Sequence, residues 1–329
     1  MNKCQGCGSI IQDSNPNLDG YSKNINNLLC ERCFRIKNYN DYKRLEKTNS
    51  DFLPILKEIS KTNDLVILLI DLFNIPKSLN DIIDNLDNDI LLVLTKRDIL
   101  PLSVYDERLI EYFSGLSERI IDTVICSSKK NFHLDELKEK IYKYKNSNNV
   151  YVLGYTNAGK STLINKIIYN YTDLEPTITT SLLPSTTIDA ISIKINDDLT
   201  LIDTPGLLED GNILDYVNVE MLKIIVPQKE IKAITYQLKD KQRIWIKDIL
   251  CIENDDVNNI TLYFSNDLEI ERSFKCDELI NSLELHEIKV GEREDIVISG
   301  LGFVKVMKPG TFKVYTIPGV LVYTRKAFI

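Results

Sequence analysis

The sequence predicts an α/β protein. A doubly wound, mostly parallel sheet should be preceded by a small cysteine module and followed by a C-terminal α+β domain. Three observations carry this. Apolar runs of strand length alternate with helical patterns from residue 64 to residue 203, and a glycine-rich loop at 154–161 joins one such run to a helix. Beyond Pro227 the apolar period shifts towards two. A chain of 329 residues has room for two or three domains of about 100–200 residues each. The changes of pattern put their limits at 1–48, 49–225 and 226–329.

Four of the seven cysteines open the chain, as Cys4-x2-Cys7 and Cys30-x2-Cys33. Two such pairs about 22 residues apart have the spacing of a tetrahedral Cys4 zinc site, because soft thiolates on tight turns suit that ion. Two disulfides would need an oxidising compartment, and a redox C-x-x-C would need a βαβ setting that is absent here. Cys126, Cys251 and Cys276 stand in apolar or mixed surroundings as ordinary thiols. Between Arg32 and Lys47 six basic residues and two acidic ones interleave with aromatics. That mixture suits an RNA surface, where cations meet phosphate and rings stack on bases, and equally a solvated linker helix.

A helix over 51–60 precedes the buried strand Asp64–Asp71; a helix over 79–86 then leads to the buried strand Ile90–Leu94. This second strand delivers Thr95-Lys96-Arg97-Asp98 to its carboxyl end. The Asp98 carboxylate can accept hydrogen bonds from N1–H and the exocyclic amine of guanine, a pair that adenine does not present. Lys96 can lay its stem along the base. After a helix near 103–118, the strand Ile120–Cys126 delivers Ser127 and Ser128, whose backbone can support the guanine carbonyl. The amphipathic helix Leu134–Ile141 and a polar linker, 145–149, lead on to the strand Val150–Leu153.

Gly154-Tyr155-Thr156-Asn157-Ala158-Gly159-Lys160-Ser161 fits G-x-x-x-x-G-K-[ST] in its required strand–loop–helix setting. Glycines let backbone N–H groups turn in around a phosphate, and the helix start at Thr162 adds the positive end of its dipole. Lys160 would reach the β and γ phosphates, and the Ser161 hydroxyl would ligate Mg²⁺. Further on, a polar loop over Thr177–Thr187 precedes the strands Ala190–Ile195 and Leu199–Ile202, and then comes Asp203-Thr204-Pro205-Gly206. There Asp203 stands near Mg²⁺ and the Gly206 N–H near the γ-phosphate. Leu207 follows, with no side-chain group that could orient water.

These elements come in a permuted order: guanine motif, phosphate loop, then Asp203–Gly206. The order resembles that of the circularly permuted GTPases with a P-loop. The Cys4–Asn40 pattern, Pro227–Lys232 and Asp295–Phe303 are similar to the YqeH family in particular. The resemblance implies a GTPase for small ribosomal subunit assembly, binding that subunit or its rRNA, with GTP or GDP, Mg²⁺ and Zn²⁺. It further implies Thr187 as the threonine that closes over the γ-phosphate and ligates Mg²⁺. Asn157 takes the place of a phosphate-loop asparagine that holds K⁺. Two residues depart from the family pattern. Thr95 replaces an asparagine, which should loosen the tie to the phosphate loop, and Asn131 replaces a glycine where left-handed backbone is needed.

Beyond the phosphate-binding half, a helix over 212–226 should act as a lever into the last domain. There Ile244–Ile252, Ile260–Phe264 and Ile296–Val306 read as strands, and Cys276–Leu285 as a helix. Lys223–Lys247 holds seven basic and two acidic residues, and Lys305–Lys326 five basic and none acidic. Such clusters suit an RNA-facing surface or lysine-guarded sheet edges. A net charge of −8 excludes a wholly basic nucleic-acid coat, and DNA is not an expected partner. No apolar run reaches the ~20 residues of a membrane span. With Cys4 already in a motif, no leader is expected, which makes the protein cytoplasmic. Oligomeric state is not legible. Two other readings stand beside the GTPase: a nucleotide-gated RNA-binding module with vestigial hydrolysis, and an ATP-dependent kinase-like enzyme, which Asp98 disfavours.

Overall fold

The computed structural model describes Cys4 and residues 10–14, 21–30, 52–172, 177–182, 189–207, 209–275 and 278–329. The chain divides into two compact units, one of residues 1–97 with 110–209 and the other of 98–109 with 210–329.

In the first unit α1 (Phe52–Ser60) precedes β1 (Leu65–Asp71), α2 (Leu79–Asp84) and β2 (Ile90–Thr95). Then come α3 (Asp106–Ser114), whose first residues belong with the other unit, β3 (Ile120–Ile125), α4 (Leu134–Tyr144), β4 (Asn149–Gly154) and α5 (Lys160–Tyr171). The hairpin β5 (Thr177–Leu182) and β6 (Asp189–Asn196) is followed by β7 (Leu199–Asp203). The seven strands form one sheet in the order β3-β2-β1-β4-β7-β6-β5. Every residue of β1 and β2 is buried, as expected of strands covered on both faces. The strand order reverses between β1 and β4, which pair in parallel with Leu69 opposite Gly154. At such a reversal the strand ends leave a crevice for ligands.

The linker that permutation requires is pinned at its position. The Ser147 hydroxyl donates to the Asp64 carboxylate at 2.6 Å, and the Asn146 amide to the Asn63 carbonyl at 3.1 Å. Two local expectations change. The first half of the 177–187 loop is strand, because all of β5 pairs antiparallel with Asp189 to Lys194 of β6. Helix α3 is shorter than the 103–118 expected.

In the second unit α6 (Val219–Ile225) leads to ten strands in two antiparallel sheets. One sheet orders β12 (Ile270–Ser273), β9 (Arg243–Ile246), β10 (Leu250–Asn254), β16 (Gly310–Thr316) and β13 (Glu284–Val290). The other orders β17 (Val322–Lys326), β14 (Glu294–Ile298), β15 (Gly302–Val306), β11 (Asn258–Tyr263) and β8 (Ile234–Leu238). Alternate residues of both, such as Ile244, Ile246 and Ile252 from one and Ile260, Ile296 and Val304 from the other, share a single core.

Three sequence expectations fail here. The lever over 212–226 is broken into a 3₁₀ turn, Ile213–Asp215, and the two-turn α6. Each piece has its own asparagine cap: Asn212 accepts from Leu214 N–H and Asn218 from Met221 N–H. The helix expected near Cys276–Leu285 is a 3₁₀ turn, Glu278–Ser282, running into β13, which pairs along its whole length with β16. Finally, Ile244–Ile252 and Ile296–Val306 are each a hairpin. Lys247 adopts φ +46° at the first turn and Gly300 φ +79° at the second, where left-handed backbone is needed.

The outward faces carry two matching charge clusters. In one sheet Glu253, only 5% exposed, lies between Arg243, with which it is ion-paired, and Lys313, 3.8 Å away. In the other, fully buried Asp295 stands opposite Lys305 on β15 and Arg325 on β17. Four members of the two basic stretches thus face internal carboxylates. Lys223, Lys229, Lys232, Lys239, Lys241, Lys308 and Lys326 remain exposed.

Candidate nucleotide-binding site

The phosphate loop leaves β4 at Gly154, where a Cβ would meet the Leu69 Cβ at 3.0 Å, so any side chain there would press on β1. Asn157 at φ +64° and Gly159 at φ +89° turn the backbone through the left-handed region, and α5 starts at Lys160. Such a turn with a helix behind it directs N–H groups at a phosphate. The side chains of Asn157 and Thr162 are exposed, and Ser161 is half-buried.

Register brings the second half of the site to the first. Strand β7 runs parallel to β4 with Val152 opposite Asp203. The Lys160 ammonium, 7% exposed, lies 2.5 Å from Asp203 Oδ1 and also donates to the Thr204 carbonyl. Leu207 is clasped to the loop, its N–H donating to Gly154 O at 3.0 Å and its carbonyl accepting from Thr156 N–H at 2.7 Å. The Thr156 hydroxyl donates to the same carbonyl at 3.0 Å. Between them Gly206 sits so close that a Cβ would meet Thr156 Oγ1 at 3.3 Å. Tyr155, 8% exposed, shares a 2.8 Å hydrogen bond with Ser78, and burial pushes its phenol far above the ordinary range.

The guanine motif is tied to this loop after all. Thr95 replaces the family's asparagine, yet its hydroxyl donates to the Ala158 carbonyl at 2.6 Å, with Ile70 O at 3.2 Å. The expected loosening fails because parallel β1 and β2 bring the end of β2 close enough for a short side chain to reach. Arg97 N–H donates to Cys126 O, joining the motif to the end of β3. There Ser127, 1% exposed, pairs with Phe132 in both directions and accepts from Lys130 N–H, closing a tight turn that also buries Ser128. Asn131 sits in that turn at φ +53°, as its replacement of glycine requires. Asp98 comes next after Arg97 and opens the segment 98–109 of the other unit.

Sequence reasoning passed over Asp71 and Ser78. Neither belongs to a spaced motif; only β1 ending beside β4 brings them to the site. Thr187 lies outside the described residues, as do Cys7 and Cys33. Of the zinc set, Cys4 and Cys30 are buried at 2% and 1% exposure, and the Cys30 N–H donates to Cys4 Sγ at 3.2 Å. One cysteine from each pair is thus brought to the same place, with Ile11 and Leu29 packed against them. An N–H aimed at sulfur also suits a metal-bound thiolate.

A family model described as 50S ribosome-binding GTPase matches residues 149–255. The match begins at β4 and contains the phosphate loop and Asp203–Gly206, while the guanine motif lies upstream of it. The uncharacterized protein YqeH of Bacillus subtilis is 35% identical over 365 aligned positions, covering 99% of both chains. The chloroplast GTP-binding protein Brassinazole Insensitive Pale Green 2 of Arabidopsis thaliana is 25% identical over 72% of this chain and 41% of its own. GTPase Der of Karelsulcia muelleri is 26% identical over 73% of this chain and 55% of its own. Among the described residues no helix is long and apolar enough to cross a membrane. Permuted motif order, the clasped phosphate loop and a relative aligned along almost its whole length agree: the chain belongs to the YqeH family of circularly permuted GTPases.

Proposed function

We propose that the protein hydrolyses GTP as an assembly factor of the small ribosomal subunit, binding that particle or its rRNA in a nucleotide-dependent way in the cytoplasm. The observation that carries this is the clasp of Leu207 on the phosphate loop. The segment that meets the γ-phosphate in GTPases is here hydrogen-bonded to the loop, and the chain returns to the second unit at Asp210, four residues after Gly206. A link that short replaces the longer lever the sequence predicted. Lys160 would meet the β and γ oxygens as a fixed charge, while Ser161, Asp203 and Thr187 would hold Mg²⁺, which when bound offsets charge on those oxygens. Leu207 has no polar side-chain atom, and its backbone N–H and carbonyl are committed to Gly154 and Thr156. Unaided turnover is therefore slow. That same commitment favours the second reading, a nucleotide-gated RNA-binding module with vestigial hydrolysis.

The seven exposed lysines of the two basic stretches are the RNA-facing groups in this proposal. The ribosomal partner is supported by the resemblance to the YqeH family and by the description of the matched family, which names the 50S particle. Both subunits therefore belong in the test. Titrating each with the protein loaded with a non-hydrolysable GTP analogue or with GDP, at matched salt, should show a difference of about fivefold or more for the small subunit. Equal affinities in the two states would rule out the switch, and stronger binding to the large subunit would replace the partner. The cysteine module is proposed to hold one structural Zn²⁺ through Cys4, Cys7, Cys30 and Cys33. Elemental analysis should return about one zinc per chain, and a metal-free protein with a protease-resistant N-terminus would contradict it.

A further inference from the structure

Asp71 ends β1 at 7% exposure, directly opposite Thr95 in the register with β2. Its two oxygens have separate tasks. Oδ1 accepts the Phe73 N–H at 2.9 Å, and the Asp71 carbonyl accepts from Asn74 N–H at 3.0 Å, so the turn after β1 is fixed. Oδ2 accepts from the Lys96 ammonium at 2.7 Å. Lys96 itself adopts φ +60°, a conformation an L-residue enters only at a cost. That twist at the end of β2 sends its side chain across to the end of β1. With its head held there, the four-carbon stem bridges two strand ends at the mouth of the crevice, two residues before the guanine-selecting Asp98. A lysine stem left free would sample many rotamers; one anchored at its head presents a fixed apolar shelf.

We propose that Asp71 is a positioning residue for base recognition: it anchors Lys96 so that the lysine stem forms the shelf against which guanine stacks. The inference rests on the GTP-binding reading and assigns no contact between Asp71 and nucleotide. The ion pair is mostly buried, with side-chain exposures of 27% for Lys96 and 9% for Asp71, so its loss is felt more than that of a surface pair.

The test uses the full chain and two probes, GDP and inorganic tripolyphosphate, which shares the phosphate loop but carries no base. Asp71→Asn keeps an acceptor for Phe73 N–H while discharging the anchor. It should weaken GDP binding by about tenfold, leave tripolyphosphate within about twofold, and place the loss in KM for GTP rather than in kcat. Lys96→Met should do the same. The double variant should be no weaker than the weaker single one, because both remove one shelf. Additive losses would overturn the proposal, as would an equal loss for tripolyphosphate, which would make Asp71 a support of the strand end. Should Asp71→Asn not fold, Lys96→Met alone decides: GDP affinity equal to that of the parent removes the shelf. Wild-type protein binding GDP no better than tripolyphosphate would instead defeat the guanine reading itself.

Discussion

Lys160→Ala should lower GTP hydrolysis by about two orders of magnitude or more. The ammonium stands at the head of α5, beside Asp203 and the Thr204 carbonyl. Removing a single preorganised donor from a site of developing charge commonly costs ~3–4 kcal/mol. A phosphate oxygen arriving at the loop competes with Asp203 for the same ammonium, so a charge is already aimed before substrate arrives. The substitution also withdraws the cation from a carboxylate that is fully buried, which should lower stability by several kcal/mol, on the order of the ~3–5 seen when one partner of a buried pair is lost. Lys160→Met keeps the volume but also loses the cation, so a matching loss in rate and stability assigns both to the charge rather than to a cavity. Phosphate release under multiple turnover and a urea midpoint are the measurements. A loss in rate smaller than about tenfold would mean that the phosphates are held elsewhere. The same assay tests the K⁺ proposed at Asn157, whose exposed side chain stands at the turn of the loop. At equal ionic strength KCl should accelerate the parent over NaCl, and Asn157→Ala should abolish the difference.

The second unit should lose stability as pH rises from about 4 to about 6, through Asp295. Burial pushes this carboxyl up to about 6 from 3.8, and the positive charges of Arg325 and Lys305 pull against that shift. Neither carboxyl oxygen has a hydrogen-bond partner. The Arg325 guanidinium that faces it lies 4.5 Å from the Phe303 ring and 4.4 Å from that of Phe328, while Tyr263 stacks on Phe303. A folded-state value above the unfolded one means that the folded protein holds this proton more tightly. Its contribution is fully present below about 4 and gone once pH passes about 6, a swing of roughly 3 kcal/mol at ~1.4 kcal/mol per unit. Asp295→Asn cannot titrate. The difference in urea midpoint between this variant and the parent should therefore shift in favour of the variant over that window. Parallel curves from pH 4 to pH 7.5 would refute the assignment. Arg325→Lys should widen the swing, because the planar cation between two rings is replaced by a group that cannot stack in the same way.

Much of this protein is readable as local pattern. The glycine loop, each C-x-x-C pair and the apolar runs of β1 and β2 declare themselves within ten or so residues, because phosphate cradles and doubly covered strands each demand a local pattern. Motif order along the chain is enough to show the permutation. What tertiary structure decided are pairings between residues far apart in sequence. Lys160 with Asp203, Leu207 with Gly154 and Thr156, Thr95 with Ala158, and Asp71 with Lys96 all follow from β1, β2, β4 and β7 lying side by side in parallel, and no local spacing encodes a register. The basic stretches of the last hundred residues make the same point. Their charge reads as surface in one dimension, yet cross-strand register turns Arg243 and Lys313 towards Glu253 and Lys305 and Arg325 towards Asp295. The helix expected over 276–285 likewise shrinks to the 3₁₀ turn Glu278–Ser282, because from Glu284 onward the chain pairs with β16, and so short a helix standing alone is marginal.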